Sequence, residues 1–309
     1  MAMIYDVIII GAGPAGLAAG IYGKRAGLST LILDTSSIIG GQILNTYEID
    51  NYPGIPGASG EDLAEAMRQH CEKLGVEFAR GRVSSIKESK ENAGIKELIT
   101  RKETFLTKAV VVATGASNKK LGCPGEEELS GMGVSYCATC DGAFFKEKEV
   151  AVVGGGDVAL EDALYLARFC KKVYLIHRRD EFRGAAVLQS QVKSNDKIEI
   201  IYDTVVEAIE GQDMVKSLQI KNVKTANTKS LSIDGVFIAV GTEPNTGKIE
   251  GLPDLDSKGY IIADETCTTS IPGIFAAGDV RTKPLRQVIT ATADGANAIT
   301  SIQKYFQNQ

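Results

Sequence analysis

The sequence predicts an α/β fold built from two similar units. A strand, glycine turn and helix pattern opens at Gly11, and a second one opens at Gly154. Each pattern is typical of a dinucleotide-binding βαβ unit. The length of 309 residues is enough for two domains of about 150 residues each. We therefore predict two Rossmann-like domains with three-layer ββα architecture, the second inserted into the first.

The first unit starts with an apolar run, residues 6–10, of the kind that forms a strand buried on both faces. Gly11, Gly13 and Gly16 follow, and a helix is predicted to about residue 26. Such a turn allows a pyrophosphate to approach the helix N-terminus. Asp34 ends the next predicted strand, 23 residues after Gly11, where a carboxylate can bind ribose hydroxyls. Because strand, helix and acid are in register, we expect a dinucleotide site rather than a simple glycine turn.

The second unit has the same layout but a different ending. Its strand, residues 150–153, leads into a GxGxxA turn that includes Gly154, Gly156, Asp157 and Val158. His177 stands 23 residues after Gly154, and the adjoining basic residues are Arg178, Arg179 and Arg183. Arginines would clamp a 2′-phosphate that a carboxylate would repel, so this site is predicted to prefer NADPH over NADH. The alternative is a solvated charged turn.

A CxxC pair, Cys137 and Cys140, precedes the second glycine turn by 14 residues. A structural zinc site would need four ligands, and the chain has no second CxxC and only two histidines, His70 and His177. An inert structural disulfide is not expected in a reducing cytosol. Two nucleotide sites beside a dithiol indicate electron transfer to or from a disulfide.

The composition excludes several other functions. The formal net charge is −5 and the basic residues are scattered, which argues against nucleic acid or an anionic membrane as the partner. The apolar run near the N-terminus breaks at Gly11 and has no basic region before it. We therefore expect a cytoplasmic protein. We also expect no metal site.

The predicted domains are an enclosing one, residues 1–117 and 247–309, and an inserted one, residues 118–246. The first is predicted to bind FAD and the second to bind NADPH and to carry the CxxC pair. Further predicted elements are a helix at 61–74, a strand at 109–113 before Gly115, β-rich sequence from 198 to 240, a strand before Asp279 and a terminal helix at 285–305.

Several motifs together resemble the bacterial low-molecular-weight thioredoxin reductases. They are GAGPAG at 11–16, GGQ at 40–42, NYPG at 51–54, ATG at 113–115, CATCDGAFF at 137–145, GGGDVALE at 154–161, HRRDEFR at 177–183, and FAAGDV with LRQVITATADG within 275–295. The resemblance covers essentially the whole chain. It implies a homodimeric flavoprotein that uses FAD and NADPH to reduce thioredoxin, with rotation between the two domains.

The resemblance also implies roles for residues. Cys140 would face the flavin, Cys137 would attack the disulfide of the partner, and Asp141 is the candidate acid and base for the thiol protons. The positions expected around FAD are Gly41, Gln42, Asn51, Gly115, Asp279, Arg286 and Gln287. Phe144 and Phe145 are expected either to dock thioredoxin or to be buried under the CxxC turn. Val158, where Ser or Thr is expected, and Asp34, where Glu is more familiar, depart from the family pattern.

Three other functions stay open at this point. A reductase that serves a peroxidase partner would carry an additional N-terminal redox domain, for which there is little room before Gly11. A ferredoxin-driven relative would not need the arginine cluster. A flavin sensor without catalytic activity would use its disulfide only to report the redox state.

Overall fold

The computed structural model describes residues 3–46, 49 and 51–308. The chain forms two compact units, Met1–Ser117 with Glu243–Gln309 (unit 1) and Asn118–Thr242 (unit 2). Unit 2 is thus inserted into the sequence of unit 1. The return to unit 1 falls at residue 243, a little before the expected position at 247.

Unit 1 contains a seven-stranded sheet of order β3-β2-β1-β6-β5-β4, with β17 on β6. Its strands are β1 (Ile4–Ile10), β2 (Thr30–Asp34), β3 (Glu77–Arg80), β4 (Val83–Glu88), β5 (Lys96–Thr100), β6 (Thr104–Val112) and β17 (Ile274–Ala276). Strand β2 runs parallel to β1 and β3, and β6 runs parallel to β1 and β17. Strands β4, β5 and β6 form an antiparallel meander. The carboxyl ends of β1, β2, β6 and β17 therefore meet at one edge of the sheet.

Three helices of unit 1 are α1 (Pro14–Arg25), α2 (Gly60–Lys73) and α6 (Val288–Gln307). Helix α6 packs on α1 so closely that a Cβ atom at Gly295 would lie 2.3 Å from the carbonyl oxygen of Ala15. The terminal helix begins three residues later than the predicted position, because Gln287 is its N-cap and forms a capping box with Thr290. A 3₁₀ turn, Gly41–Asn45, and another at Gly278–Val280 follow two of the strands.

Both faces of the unit 1 sheet are buried, as the apolar run in β1 predicts. Ile9 points into one apolar cluster with helices α1 and α6, and Ile8 points into the cluster on the other face. Both side chains are fully buried. Because successive residues of β1 are buried on opposite faces, β1 cannot shift in register without exposing core residues. This fixes the position of the glycine turn that follows β1.

Unit 2 contains a five-stranded parallel sheet of order β11-β10-β9-β15-β8 and a three-stranded antiparallel sheet of order β12-β13-β14. Its strands are β8 (Val134–Ser135), β9 (Glu149–Gly154), β10 (Lys172–Ile176), β11 (Ile198–Ile201), β12 (Thr204–Gly211), β13 (Val215–Asn222), β14 (Thr228–Ser232) and β15 (Gly235–Ala239). Its helices are α3 (Ala138–Asp141), α4 (Asp157–Ala167) and α5 (Ala186–Lys193). The two segments at the unit boundary, β7 (Ala116–Asn118) and β16 (Thr242–Pro244), pair with each other.

The predicted α/β class with a parallel sheet in each of two units is confirmed. Strand and helix bounds in the two glycine-turn units agree with the predictions to within a few residues. Helix α5 and the antiparallel strands β4 and β5 were not predicted. Their sequences lack the glycine turns and long apolar runs on which the other predictions depend.

Candidate active site

Cys137 and Cys140 form a disulfide at the start of the one-turn helix α3, with their Cα atoms 5.3 Å apart. Cys137 is the N-cap residue, and its carbonyl oxygen accepts hydrogen bonds from the backbone N–H groups of Cys140 and Asp141. Both cysteines are half-buried, and Thr139 between them is exposed. The turn thus holds the two sulfur atoms side by side near the surface of unit 2.

The Asp141 carboxylate accepts a hydrogen bond from the Ser135 hydroxyl at 2.5 Å. Burial raises the pKa of Asp141, and the bond from Ser135 opposes that rise. A carboxyl with a raised pKa keeps its proton to a higher pH, which suits it to act as a proton donor. Ser135 also accepts a hydrogen bond from the backbone N–H of Cys137 at 3.1 Å. Sequence reasoning missed Ser135, because a single serine in a strand carries no recognisable signal.

The two phenylalanines after the dithiol lie in different environments. Phe145 is buried and its ring meets Phe237 edge to face, with the ring centroids 5.3 Å apart. Phe144 is 39% exposed. The expectation of burial therefore holds for Phe145, whereas Phe144 is partly exposed and could contact a partner protein.

The second glycine turn lies between β9 and α4. Gly156 is the N-cap residue of α4 and supplies no side chain to cap the helix, so the first N–H groups are left for an anion. A Cβ atom at Gly155 would lie 2.3 Å from the His177 ring, so only glycine fits there. Gly154 is equally close to the end of β15, where its added Cβ would lie 2.4 Å from the Ala239 carbonyl oxygen. Gly155 was not among the predicted site residues.

The side chains that follow this turn differ in what they contact. The Asp157 carboxylate accepts a hydrogen bond from the backbone N–H of Ala185 at 2.7 Å. This bond ties the start of α4 to the segment after the arginines. Val158 is 61% exposed. An apolar side chain on the surface of a helix N-terminus leaves the adjacent backbone groups accessible.

His177 is buried beneath the glycine turn, and its Nε2 atom lies 3.0 Å from the carbonyl oxygen of Glu181. Burial lowers the pKa of His177, so the imidazole is neutral at pH 7. Arg178, Arg179 and Arg183 are exposed, and none forms an ion pair within the described residues. The histidine therefore supports the loop, while the arginines keep their guanidinium groups available. That these four residues bind NADPH stays a prediction.

The first glycine turn, in unit 1, adopts a conformation that requires glycine. Gly11 has a φ of +108°, and its Cβ atom would lie 2.4 Å from the Ala113 carbonyl oxygen. Gly13 is the N-cap residue of α1 without a side-chain cap, and Gly16 lies in the first turn of that helix. Asp34 accepts a hydrogen bond from the backbone N–H of Ala12 at 2.6 Å. The acid that is predicted to bind the ribose thus braces the glycine turn.

Other predicted residues of unit 1 lie around this turn. A Cβ atom at Gly41 would be 3.1 Å from the Cα atom of Gly13, so the two loops touch. The Asn51 amide donates to the Gln287 side chain at 2.9 Å, which joins the NYPG loop to the start of α6. Gln42 is exposed nearby on its 3₁₀ turn, and Gly115 has a φ of +70° after β6.

Three buried polar atoms near this turn have no hydrogen-bond partner in the described chain. They are Asp279 Oδ1, Arg286 Nε and Thr114 Oγ1. Buried polar atoms without partners are rare in native proteins. Burial raises the pKa of Asp279, while the positive charges of Lys283 and Arg286 oppose the rise. Donors and acceptors of this kind, together with the glycine turn and the uncapped α1, fit the polar groups of FAD.

A buried charged cluster holds the Asp279 turn from behind. The Asp294 carboxylate on α6 accepts hydrogen bonds from Arg281, from Lys283 and from the backbone N–H of Gly278, each at 2.8 Å. The side chains of all three charged residues are at most 3% exposed. We call these three residues, Arg281, Lys283 and Asp294, the Asp294 cluster. Sequence reasoning missed this cluster, because its members are separated in sequence by up to 13 residues.

The described residues contain no group of three or more His, Cys, Asp or Glu side chains arranged to hold a metal ion. None of the helices within that part of the chain has both the length and the apolar character needed to cross a bilayer. A disulfide in one nucleotide-type unit, and unpartnered buried polar atoms in a second nucleotide-type unit, are typical of a disulfide oxidoreductase.

Comparisons with known proteins agree with this class. Residues 5–295 match the model of the pyridine nucleotide-disulphide oxidoreductase family, and the chain belongs to that family. The chain is 46% identical to a thioredoxin reductase of Listeria innocua, over 98% of this chain and 94% of the relative. It is 45% identical to the thioredoxin reductase of Bacillus subtilis, over 98% and 95% respectively.

Among solved structures, a thioredoxin reductase of Streptococcus pyogenes is similar over 100% of both chains, with a TM-score of 0.93 and 45% identity. The resemblance drawn from the motifs is therefore confirmed. Family members of this kind use FAD and NADPH, which confirms the two predicted cofactors. The prediction of an NADPH-dependent oxidoreductase is confirmed as well.

Proposed function

We propose that the protein reduces the disulfide of thioredoxin with electrons from NADPH, by way of FAD and the Cys137–Cys140 pair. The observation that supports this most directly is the disulfide itself, formed beside an acid with a raised pKa in a chain of this family. The thioredoxin reductases to which the chain is similar act, by name, on the same partner.

The residues of the two units would each carry out a part of the reaction. The uncapped start of α4 and the arginines would bind the phosphates of NADPH. Residues of unit 1, among them Asp279, Arg286 and Asp34, would hold FAD, which supplies a two-electron carrier when bound. Cys140 would receive the electrons on the flavin side, Cys137 would attack the disulfide of the partner, and Asp141 would supply and remove the thiol proton.

The dithiol and the NADPH residues belong to unit 2, and the FAD residues belong to unit 1. Both the nicotinamide and the disulfide must reach one flavin ring, and the dithiol must also reach a protein substrate. We therefore propose that the two units rotate relative to one another during turnover. A cross-link that fixes the units in one orientation should stop turnover and leave one half-reaction intact. Full turnover in the cross-linked protein would contradict the rotation.

The reductase function is tested by anaerobic addition of NADPH to the FAD-loaded protein. The flavin absorbance should be lost rapidly and should return when oxidised thioredoxin is added. The variant Cys137→Ser should lose the second step. Cys123→Ser is the matched control, because Cys123 is a half-buried free thiol in the same unit, and it should keep both steps. Loss of flavin absorbance without any transfer to thioredoxin would indicate a redox sensor instead.

Two further properties are part of this proposal. A homodimer is expected from the resemblance, and exposed apolar side chains of unit 1, including Tyr22, Ile38 and Ile289, offer surface for it. Sedimentation of the FAD-loaded protein tests it. We propose a cytoplasmic location, where NADPH is available and where the four cysteines outside the pair would stay reduced, as they are here.

A further inference from the structure

Ser135 connects the proposed acid to the backbone of the dithiol. It lies in β8 and is 5% exposed. Its Oγ atom is 2.5 Å from Asp141 Oδ2, 3.1 Å from the backbone nitrogen of Cys137 and 3.4 Å from the carbonyl oxygen of Cys137. In the described chain no other side chain bonds the Asp141 carboxyl.

A serine hydroxyl has one proton to donate and two lone pairs to accept with. The Cys137 N–H occupies one lone pair of Ser135 in either state of the acid. When Asp141 is a carboxylate, the Ser135 proton points to Oδ2. When Asp141 is protonated, its O–H can donate to the second lone pair, and the Ser135 proton turns to the Cys137 carbonyl oxygen.

We propose that Ser135 is a positioning residue whose hydroxyl reverses its hydrogen bond as Asp141 gains and loses its proton, so that the acid keeps a partner in both states. The role rests on the proposed function, because the proton is required only when the disulfide is reduced. Two electrons that break the Cys137–Cys140 bond leave two thiolates. The carboxylic acid of Asp141 gives its proton to one of them and becomes a carboxylate, and it takes a proton back when the dithiol is reoxidised. Ser135 keeps its own proton throughout.

Without this partner, both states of the acid would lose a hydrogen bond, and the carboxylate would lose the stronger one. A buried carboxylate that accepts no hydrogen bond loses much of its solvation and holds its proton more tightly. Helix α3 packs against α4 and against the 3₁₀ turn Gly142–Phe145. The titratable groups on α4 and in the three residues after that turn are Asp157, Glu161, Asp162, Tyr165, Lys146, Glu147 and Lys148. None of them shifts the pKa of Asp141, which responds to burial and to Ser135 alone.

The inference is tested by titrating Asp141 in the oxidised, FAD-loaded protein labelled with ¹³C at the aspartate carboxyls, with Asp141→Asn used to assign the signal. Ser135→Ala removes the hydroxyl, and Ser135→Cys removes most of its hydrogen-bonding strength at nearly the same volume. Both should raise the titration midpoint of Asp141 by about half to one pH unit, because the hydrogen bond that Ser135 donates to the carboxylate is stronger than the one it accepts from the neutral acid. Ser135→Thr keeps the hydroxyl and should restore the original midpoint.

Ser85→Ala is the matched control, because Ser85 is also buried, at 4% exposure, and its hydroxyl has no partner in the described chain. It should leave the midpoint unchanged. In turnover with thioredoxin, Ser135→Ala should reduce kcat by about ten- to a hundredfold, with the alkaline limb of the pH profile, where Asp141 loses its proton, displaced upward and the KM for NADPH unchanged.

The titration of Asp141 tests the role of Ser135, and turnover with thioredoxin tests the proposed function, so the two can fail separately. The titration needs neither NADPH nor thioredoxin, so a midpoint that does not move in Ser135→Ala and Ser135→Cys would overturn the role of Ser135 whatever the enzyme does. A wild-type protein that fails to reduce thioredoxin at any pH would overturn the proposed function. A shifted midpoint with an unchanged pH profile of kcat would also contradict the positioning role.

Discussion

Replacing Asp294 with asparagine should destabilise unit 1 severely, although the two side chains have nearly the same shape. The carboxylate accepts four hydrogen bonds, from Gly278, from two nitrogens of Arg281 and from Lys283. An asparagine can accept at only one of its two terminal atoms and places a donor against a donor at the other. Two buried cations would also face one another without a negative charge between them.

The magnitude follows from the burial of the group. Removing one partner of a buried ion pair costs about 3 to 5 kcal/mol, because an uncompensated charge remains. Unit 1 has roughly 180 residues. At about 2.1 cal/mol/K of unfolding entropy per residue, this loss corresponds to a fall in Tm of about 8 to 13 °C. Because Asp294 also fixes the Gly278 N–H, we expect weaker retention of FAD.

The control is Glu265→Gln. Glu265 contacts the same Arg281 guanidinium at 3.1 Å but is 81% exposed, so its loss should cost less than about 1 kcal/mol. Scanning calorimetry with a fixed excess of FAD measures both variants under equal ligand stabilisation. Adding Lys283→Met to Asp294→Asn removes the excess cation and should recover part of the loss. If Asp294→Asn unfolds at the same temperature as Glu265→Gln, the cluster does not stabilise the unit by its charges.

Three further predictions concern unit 2. Replacing Arg179 and Arg183 with methionine should raise the KM for NADPH by about tenfold or more and leave the KM for NADH nearly unchanged, which steady-state kinetics with both coenzymes will measure. Burial raises the pKa of Asp162 to about 7. Between about pH 4 and pH 7 the native state therefore keeps a proton on Asp162 that the unfolded state has lost, so stability falls as the pH rises through this range. Asp162→Asn should therefore stabilise the protein by about 1 to 3 kcal/mol at pH 8 and hardly at all at pH 4, in denaturant titrations, and an equal gain at both values would contradict this. Phe145→Ala should cost about 3 to 5 kcal/mol of stability, whereas Phe144→Ala should cost less stability and raise the KM for thioredoxin. Equal losses of stability in the two variants would refute the assignment of Phe145 to the core and Phe144 to the surface.

The two glycine-turn units could be predicted from the sequence because local and global signals coincide there. A continuous apolar run such as 6–10 can be satisfied only by a strand buried on both faces, and the glycines after it fit only a tight turn. The CxxC pair was equally clear, because its short spacing brings the two sulfurs together without help from the rest of the fold. In these places the environment of a residue is determined by the residues next to it in the sequence.

The rest of the site depends on residues distant in sequence. Asp294 receives hydrogen bonds from Arg281 and Lys283 only because α6 packs on α1 and returns to the end of β17. Ser135 meets Asp141 because β8 ends where α3 begins, and nothing in the local sequence distinguishes it from an ordinary strand serine. The burial that raises the pKa of Asp141 is likewise a property of packing around α3. Such partners appear only when the tertiary structure is known.

The position 23 residues after each first glycine has a second role that the sequence did not show. Asp34 was expected to select the ribose, but one of its oxygens also accepts the Ala12 N–H inside the glycine turn. His177 stands at the same position of the other unit, and its ring fills the space that a side chain at Gly155 would need. In both units this residue therefore supports the turn that is to receive the phosphates. A substitution at this position that is meant to change the coenzyme preference should therefore also disturb the turn. The exposed arginines are the better place to change it, because their side chains form no hydrogen bond or ion pair within the described fold.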